Sequence, residues 1–193
     1  MKTQAELKRF ATKHQVPVMM DDGLQFLLET IMNQKGQRVL EIGTAIAKTA
    51  IAIASLDDSI QVTTIERDPE MIAQAKKNIK EAGLEERIHL IEGDANEVSI
   101  PSEKFDIIFI DAAKAQYQRF FAKYSPLLSE DGIIISDNMS FHGLVEHPEN
   151  TKNRNTKHLV RKIAAYKDFL KNHSSFDTIF YSIGDGVALT RRK

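Results

Sequence analysis

Three side-chain oxygens stand where two apolar runs stop. Asp111 closes IIFID, and Asp137 with Asn138 closes IIISDN. Oxygen-only donors suit a hard cation such as Mg²⁺, and three of them leave about three coordination positions for substrate and water. The set predicts a metal site at one rim of a sheet. Taken singly, each residue also fits a turn cap at a strand end. Lys114 follows Asp111 at i+3, on the same face of any helix that begins there. A nearby cation favours the neutral amine, which can then take a proton from a metal-held hydroxyl. In isolation it reads as a surface lysine.

A second set ends the earlier apolar runs. Gly43 follows LEI, and Glu66 closes QVTTIE at about the twenty-residue offset where an acid can bond a ribose diol. A dinucleotide fingerprint would require glycine at 43, 45 and 48. The chain has Gly43, Ala45 and Lys48, which argues against NAD and FAD. Gly93, Asp94 and Ala95 end the third run, and Asp94 could accept from an adenine amino group. An adenosine ligand without a pyrophosphate is therefore expected. Glu41 lies inside an apolar run, an odd place for a surface acid, so it is assigned to holding ligand or backbone. The alternative for Glu66 is a solvated or helix-capping acid.

The elements that must position these groups alternate strand and helix. Strands are predicted at 38–43, 61–66, 87–93, 105–111 and 132–137, apolar almost throughout, as parallel strands covered on both faces are. Helices are predicted at 44–56, 68–83, 116–128 and 156–170. Asp68, Pro69 and Gly83 supply N-cap, first-turn and C-terminal signals for the second of these. Around Gly184, Asp185 and Gly186 two short strands read as an antiparallel hairpin at the sheet edge. The right-handed crossover rule then gives a doubly wound, mostly parallel seven-stranded α/β sheet with helices on both faces. One domain spans 1–193, with a helical lid at 1–20 and a polar substrate-side loop at 141–157.

The 193 residues include no cysteine, which excludes a disulfide framework, thiolate zinc and a cysteine nucleophile. The formal net charge is −1, which excludes a generally basic nucleic-acid coat. No run reaches membrane-spanning length, and a cytoplasmic protein is expected.

Together these residues resemble the class I S-adenosylmethionine-dependent O-methyltransferases, in particular the cation-dependent, catechol-methyltransferase-like family. The stretches that carry the likeness are VLEIGTAIAKTA, TIERDPE, EGDA, FDIIFIDAAKAQY and GIIISDNMSFHG. They cover residues 16–145 well and the terminal hairpin more loosely. The resemblance implies a Rossmann-like fold and S-adenosylmethionine held by Met19, Glu41, Gly43, Thr49, Glu66, Gly93, Asp94, Ala95 and Asp111. It implies a divalent cation, usually Mg²⁺, on Asp111, Asp137 and Asn138, with Lys114 as base. A homodimer is also implied. One departure is Ala47, where the family places glycine. The implied reaction is chelation of two adjacent substrate oxygens, proton loss to Lys114 and in-line methyl transfer.

Two acceptors offer adjacent oxygens, a catechol and a 5-hydroxyuridine. Lys152, Arg154, Lys157, His158, Arg161 and Lys162, with Arg191, Arg192 and Lys193 at the end, are candidate phosphate contacts. The chain is also similar to the bacterial branch that methylates 5-hydroxyuridine at the tRNA wobble position. The favoured expectation is therefore a tRNA anticodon loop, with 5-methoxyuridine as product. A small catechol or caffeoyl-type acceptor is the rival, for which Tyr117 and Phe141 are the aromatic candidates; His142 and His147 lie near the expected mouth. A protein that binds the cofactor without catalysis is the third reading.

Overall fold

The computed structural model describes residues 3–100 and 103–193. Met1, Lys2, Pro101 and Ser102, which belong to the expected single domain, lie outside the described residues.

The chain opens with α1 (Gln4–His14) and α2 (Asp21–Gln34). The parallel strands β1 (Arg38–Ile42), β2 (Gln61–Glu66), β3 (Ile88–Glu92), β4 (Phe105–Ile110) and β5 (Leu128–Ser136) follow. Between them run α3 (Lys48–Ala54), α4 (Pro69–Ala82) and α5 (Tyr117–Tyr124). Last come α6 (Arg154–Lys171) and the hairpin β6 (Phe176–Tyr181) and β7 (Val187–Arg192). The sheet order is β3-β2-β1-β4-β5-β7-β6, with β7 antiparallel to both its neighbours. The expected seven-stranded mixed sheet is thus the observed one.

Strand alternation explains the apolar runs. Val39, Ile107, Phe109, Ile133 and Ile135 face the core under α1–α4. Leu40, Ile42, Ile108, Ile110 and Ile134 face a second core under α5 and α6. Both sheet faces are buried, so successive residues are apolar. Chain direction around the sheet reverses between β1 and β4, which opens a crevice at their carboxyl ends.

α4 follows its sequence signals. Asp68 accepts from the Glu70 and Met71 amides, Pro69 occupies the first position, and Gly83 ends the helix at φ 69°. Two expected helices are shorter than predicted. The helix expected from Thr44 starts at Lys48, because Ala45 (φ 46°) and Ala47 (φ 63°) adopt left-handed backbone. The helix expected over 116–128 ends at Tyr124 and passes into a 3₁₀ turn at Ser125–Leu127. Pro126 lacks the amide that an α-helix would use. Leu128 already belongs to β5. Among the described residues no helix is long and apolar enough to cross a membrane.

Candidate active site

A cleft of about 580 Å³ opens along the carboxyl ends of β1–β5. Of the expected residues, Met19, Gly43, Thr49, Glu66, Gly93, Asp94, Ala95, Asp111, Lys114, Asp137 and Asn138 line it. Glu41 does not; it lies beneath the floor, 1% exposed.

On the β1–β3 side the polar groups are spoken for. The turn after β1 is closed by the Gly43 and Thr44 amides, both donating to the Ile65 carbonyl at 3.1 Å. Glu66 Oε2 accepts from the Ala45 amide at 2.8 Å, and Oε1 accepts from Arg67 and Asp68 at 2.8 and 3.0 Å. Glu66 therefore ties β2 to the β1 turn, and its remaining lone pairs stay open to a ligand. Gly43 is obligatory: its φ is 103°, and a Cβ there would lie 2.3 Å from the Asp111 carbonyl oxygen. Asp94 accepts from the Asn96 amide and from Arg67, and these bonds hold its carboxyl below the usual range. Below the turn, Thr44 and Thr64 hydroxyls lie 2.6 Å apart, and Thr64 donates to Glu41. Burial pushes Glu41 up to about 8, and the charges of Asp111 and Glu66 add to the rise.

The β4–β5 side is different. Lys114 Nζ lies 3.9 Å from Asp111 Oδ1, with both side chains less than one-fifth exposed. Burial raises Asp111, opposed by Lys114. Burial and the Asp111 charge push Asp137 up to about 7. Asn138 Nδ2 donates to Asp137 Oδ2 at 2.9 Å. Asn138, Phe141 and His142 all have left-handed backbone, a strained state for residues other than glycine.

Sequence reasoning missed Asp185, taking it only as part of a hairpin turn. It lines the cleft, 7% exposed, and accepts from the His142 amide through Oδ1. Its backbone carbonyl accepts from Ser140 at 2.8 Å, so the hairpin braces the strained loop. Asp185 Oδ2, the Tyr117 hydroxyl and Gln116 Oε1 are buried without a hydrogen-bond partner. Tyr117 is otherwise a core residue, edge-on to Tyr166, rather than part of an acceptor wall. Phe141 and His142 line the cleft.

The expected cation site is corrected. Among the described residues no group of three or more His, Cys, Asp and Glu side chains is placed to hold a metal ion. Asp111 and Asp137 converge, but Asn138 turns its amide donor toward Asp137, and the Lys114 amino group lies beside Asp111. This donor set does not fit Mg²⁺, and no step below is routed through a metal.

The model of the O-methyltransferase family matches residues 1–193. A caffeoyl-CoA O-methyltransferase of Populus kitakamiensis is 28% identical over 197 residues, 98% of this chain and 83% of the relative. A catechol O-methyltransferase of Niastella koreensis is 32% identical over 168 residues, 80% of this chain and 73% of the relative. A Staphylococcus aureus structure, provisionally assigned to caffeoyl-CoA O-methylation, superposes with a TM-score of 0.94 at 36% identity, covering 100% of this chain and 93% of its own. A Podospora anserina methyltransferase solved with S-adenosylhomocysteine superposes at 0.80 with 28% identity, over 90% of this chain and 80% of its own.

These likenesses overturn the tRNA expectation: the curated relatives are named for small-molecule methylation. The terminal cations give it no support either. Arg191 lies opposite Ile133, in the body of β5, and does not line the cleft. Arg192 donates to the Ser125 and Leu128 carbonyls, and Lys193 to that of His173. Lys152, Arg154, His158, Arg161 and Lys162 form an exposed loop and helix face, with Lys157 half-buried, none of them lining the cleft. The cofactor expectation fares better. An acid-lined cleft with open acceptors at Glu66 fits a cationic adenosine ligand, and the likeness to the complex with S-adenosylhomocysteine agrees.

Proposed function

We propose, from the premise that the chain belongs to the O-methyltransferase family, that it methylates a hydroxyl of a small catechol- or caffeoyl-type acceptor. The protein is an S-adenosylmethionine-dependent enzyme; the acceptor class and the residue roles are our reading. S-Adenosylmethionine, when bound, supplies an electrophilic methyl group on a sulfonium sulfur.

The observation that carries the reading is one cleft containing both an adenosine-type end and a Lys114–Asp111–Asp137 end. Glu66 takes the ribose hydroxyls, and Asp94 lies at the adenine. Met19 and Thr49 hold the methionyl part, and Gly43, Gly93 and Ala95 let the ligand approach the strand ends. Glu41 supports the turn from below through Thr64 and Thr44.

At the other end Lys114 faces the acceptor hydroxyl. Its neutral amine takes up the proton that the acceptor hydroxyl releases; bound S-adenosylmethionine would supply the methyl group to that oxygen and leave as the neutral thioether. Asp111 orients the amine. Asp137 and Asp185 accept from the acceptor's polar groups. Catalysis on this account is positioning and charge, worth roughly 10²–10⁴-fold for the proton transfer.

The test is incubation with labelled S-adenosylmethionine and a panel of catechol, caffeoyl thioester and single-hydroxyl phenol, with products identified by mass spectrometry. Mono-methylated catechol or caffeoyl product is expected. Failure to methylate any phenolic acceptor would refute the acceptor class.

A further inference from the structure

Lys48 opens α3 and is unused by the mechanism above. Its side chain is 3% exposed. A buried ammonium needs compensation, and this one is compensated at long range. Nζ lies 3.4 Å from the Met19 carbonyl oxygen and 3.6 Å from Asp21 Oδ1. Asp21 is itself 59% exposed, and its other oxygen is bonded by Lys8 Nζ. One carboxylate thus serves two ammonium groups, which leaves a net positive charge under the segment that carries Met19. An ammonium has three protons to donate, and at most two are directed at these partners.

Lys48 also lines the cleft, as do Met19 and Thr49. The rest of the cleft is rich in carboxylates, a poor environment for an anion. S-Adenosylmethionine nevertheless carries one anionic group, the α-carboxylate of its methionyl part. The other cleft-lining basic side chains have their own acids. Arg67 bonds Asp94 at 2.9 Å, Lys114 lies beside Asp111, and His142 lies 3.4 Å from Asp185. Lys48 is the one whose acid is shared.

We infer that Lys48 receives the cofactor's α-carboxylate and sets the site's preference for adenosine ligands that carry one. The inference deepens the cofactor placement proposed above and rests on it. Formation of the pair draws Nζ away from Asp21, which retains Lys8.

Calorimetry on the full chain can compare S-adenosylhomocysteine with its decarboxylated analogue, which keeps the amine and the adenosine. Wild type is expected to prefer the carboxylate-bearing ligand by about tenfold or more, the range of a charge-assisted hydrogen bond. Lys48→Met should abolish most of that preference and leave affinity for the decarboxylated analogue within about twofold. Retained preference, or equal weakening of both ligands, would overturn the inference. Asp21→Asn removes the competing acid and should keep the preference. If it loses the preference as Lys48→Met does, Lys48 acts only by anchoring the segment, and the inference fails. Binding of neither ligand to wild type would defeat the cofactor placement itself.

Discussion

The two ends of the cleft are built on opposite plans. On the β1–β3 side each carboxylate at the rim is bonded by backbone amides: Ala45, Arg67 and Asp68 on Glu66, and Asn96 on Asp94. On the β4–β5 side Asp185 Oδ2, the Tyr117 hydroxyl and Gln116 Oε1 are buried without a hydrogen-bond partner, with His142 Nδ1 3.4 Å from the first. Three non-glycine residues of the adjoining loop are held in left-handed backbone. Left-handed Ala45 and Ala47 also occur in the turn after β1, where the amides of both are bonded, to Glu66 and to the Thr44 carbonyl; in the β5 loop the His142 amide is bonded to Asp185. A preformed, satisfied half suits a ligand that is the same in every turnover. Unsatisfied polar atoms and stored strain suit the half where reacting groups must change partners.

The largest break in this contrast is expected from Gly43→Ala. The new methyl would meet the Asp111 carbonyl oxygen at 2.3 Å, in a backbone state that disfavours any side chain. A loss of more than about 3 kcal/mol and of S-adenosylhomocysteine binding is expected, read by thermal melting and calorimetry. Glu41→Gln should come next, and its effect depends on pH. The fold favours neutral Glu41, so the folded chain keeps a proton that the unfolded chain releases between about 4.5 and about 8. Stability contributed by this group is lost as pH rises through that window. The glutamine variant should flatten the slope and gain stability over wild type as pH rises from about 4.5 to about 8; an unchanged slope in denaturant titrations would count against a buried proton.

Glu66→Gln leaves one acceptor oxygen for three amides. It should cost about 1–2 kcal/mol and weaken S-adenosylhomocysteine about tenfold, with little effect on the acceptor KM. The smallest effect belongs to Tyr117→Phe, which removes a hydroxyl without a partner. Its stability should stay level or rise by up to about 1 kcal/mol. A clear fall in melting temperature would show that the two halves are equally satisfied, contrary to the comparison.

Legibility in the sequence divides along the same line. The strands were readable because both sheet faces are covered, so apolar runs mark them directly. α4 was readable from its own caps. The left-handed turn at Ala45 and Ala47 was not, because alanine is the strongest helix former and only contact with Glu66 and β2 holds it otherwise. Pro126 did announce the end of α5, but the apolar residues around it masked the signal. That Gly43, Glu66, Gly93 and Asp94 share one rim of the cleft was legible because strand ends and spacing define it. The acceptor rim was misread in two respects. Oxygen types alone suggested a cation site, whereas the neighbours that Asp111 and Asp137 acquire in the fold decide what they can hold. Asp185 reaches the cleft only through the hairpin pairing of β6 and β7, a long-range contact that local pattern does not encode. The terminal lysine and arginines were read as a nucleic-acid surface because sequence does not say that β7 carries them away from the cleft.

The most direct measurement is turnover of a catechol acceptor by Lys114→Met beside its affinity for S-adenosylhomocysteine. The account predicts turnover reduced by roughly 10²–10⁴-fold with cofactor affinity within about twofold of wild type. Turnover near the wild-type level would contradict the assignment of the chemistry to the β4–β5 end.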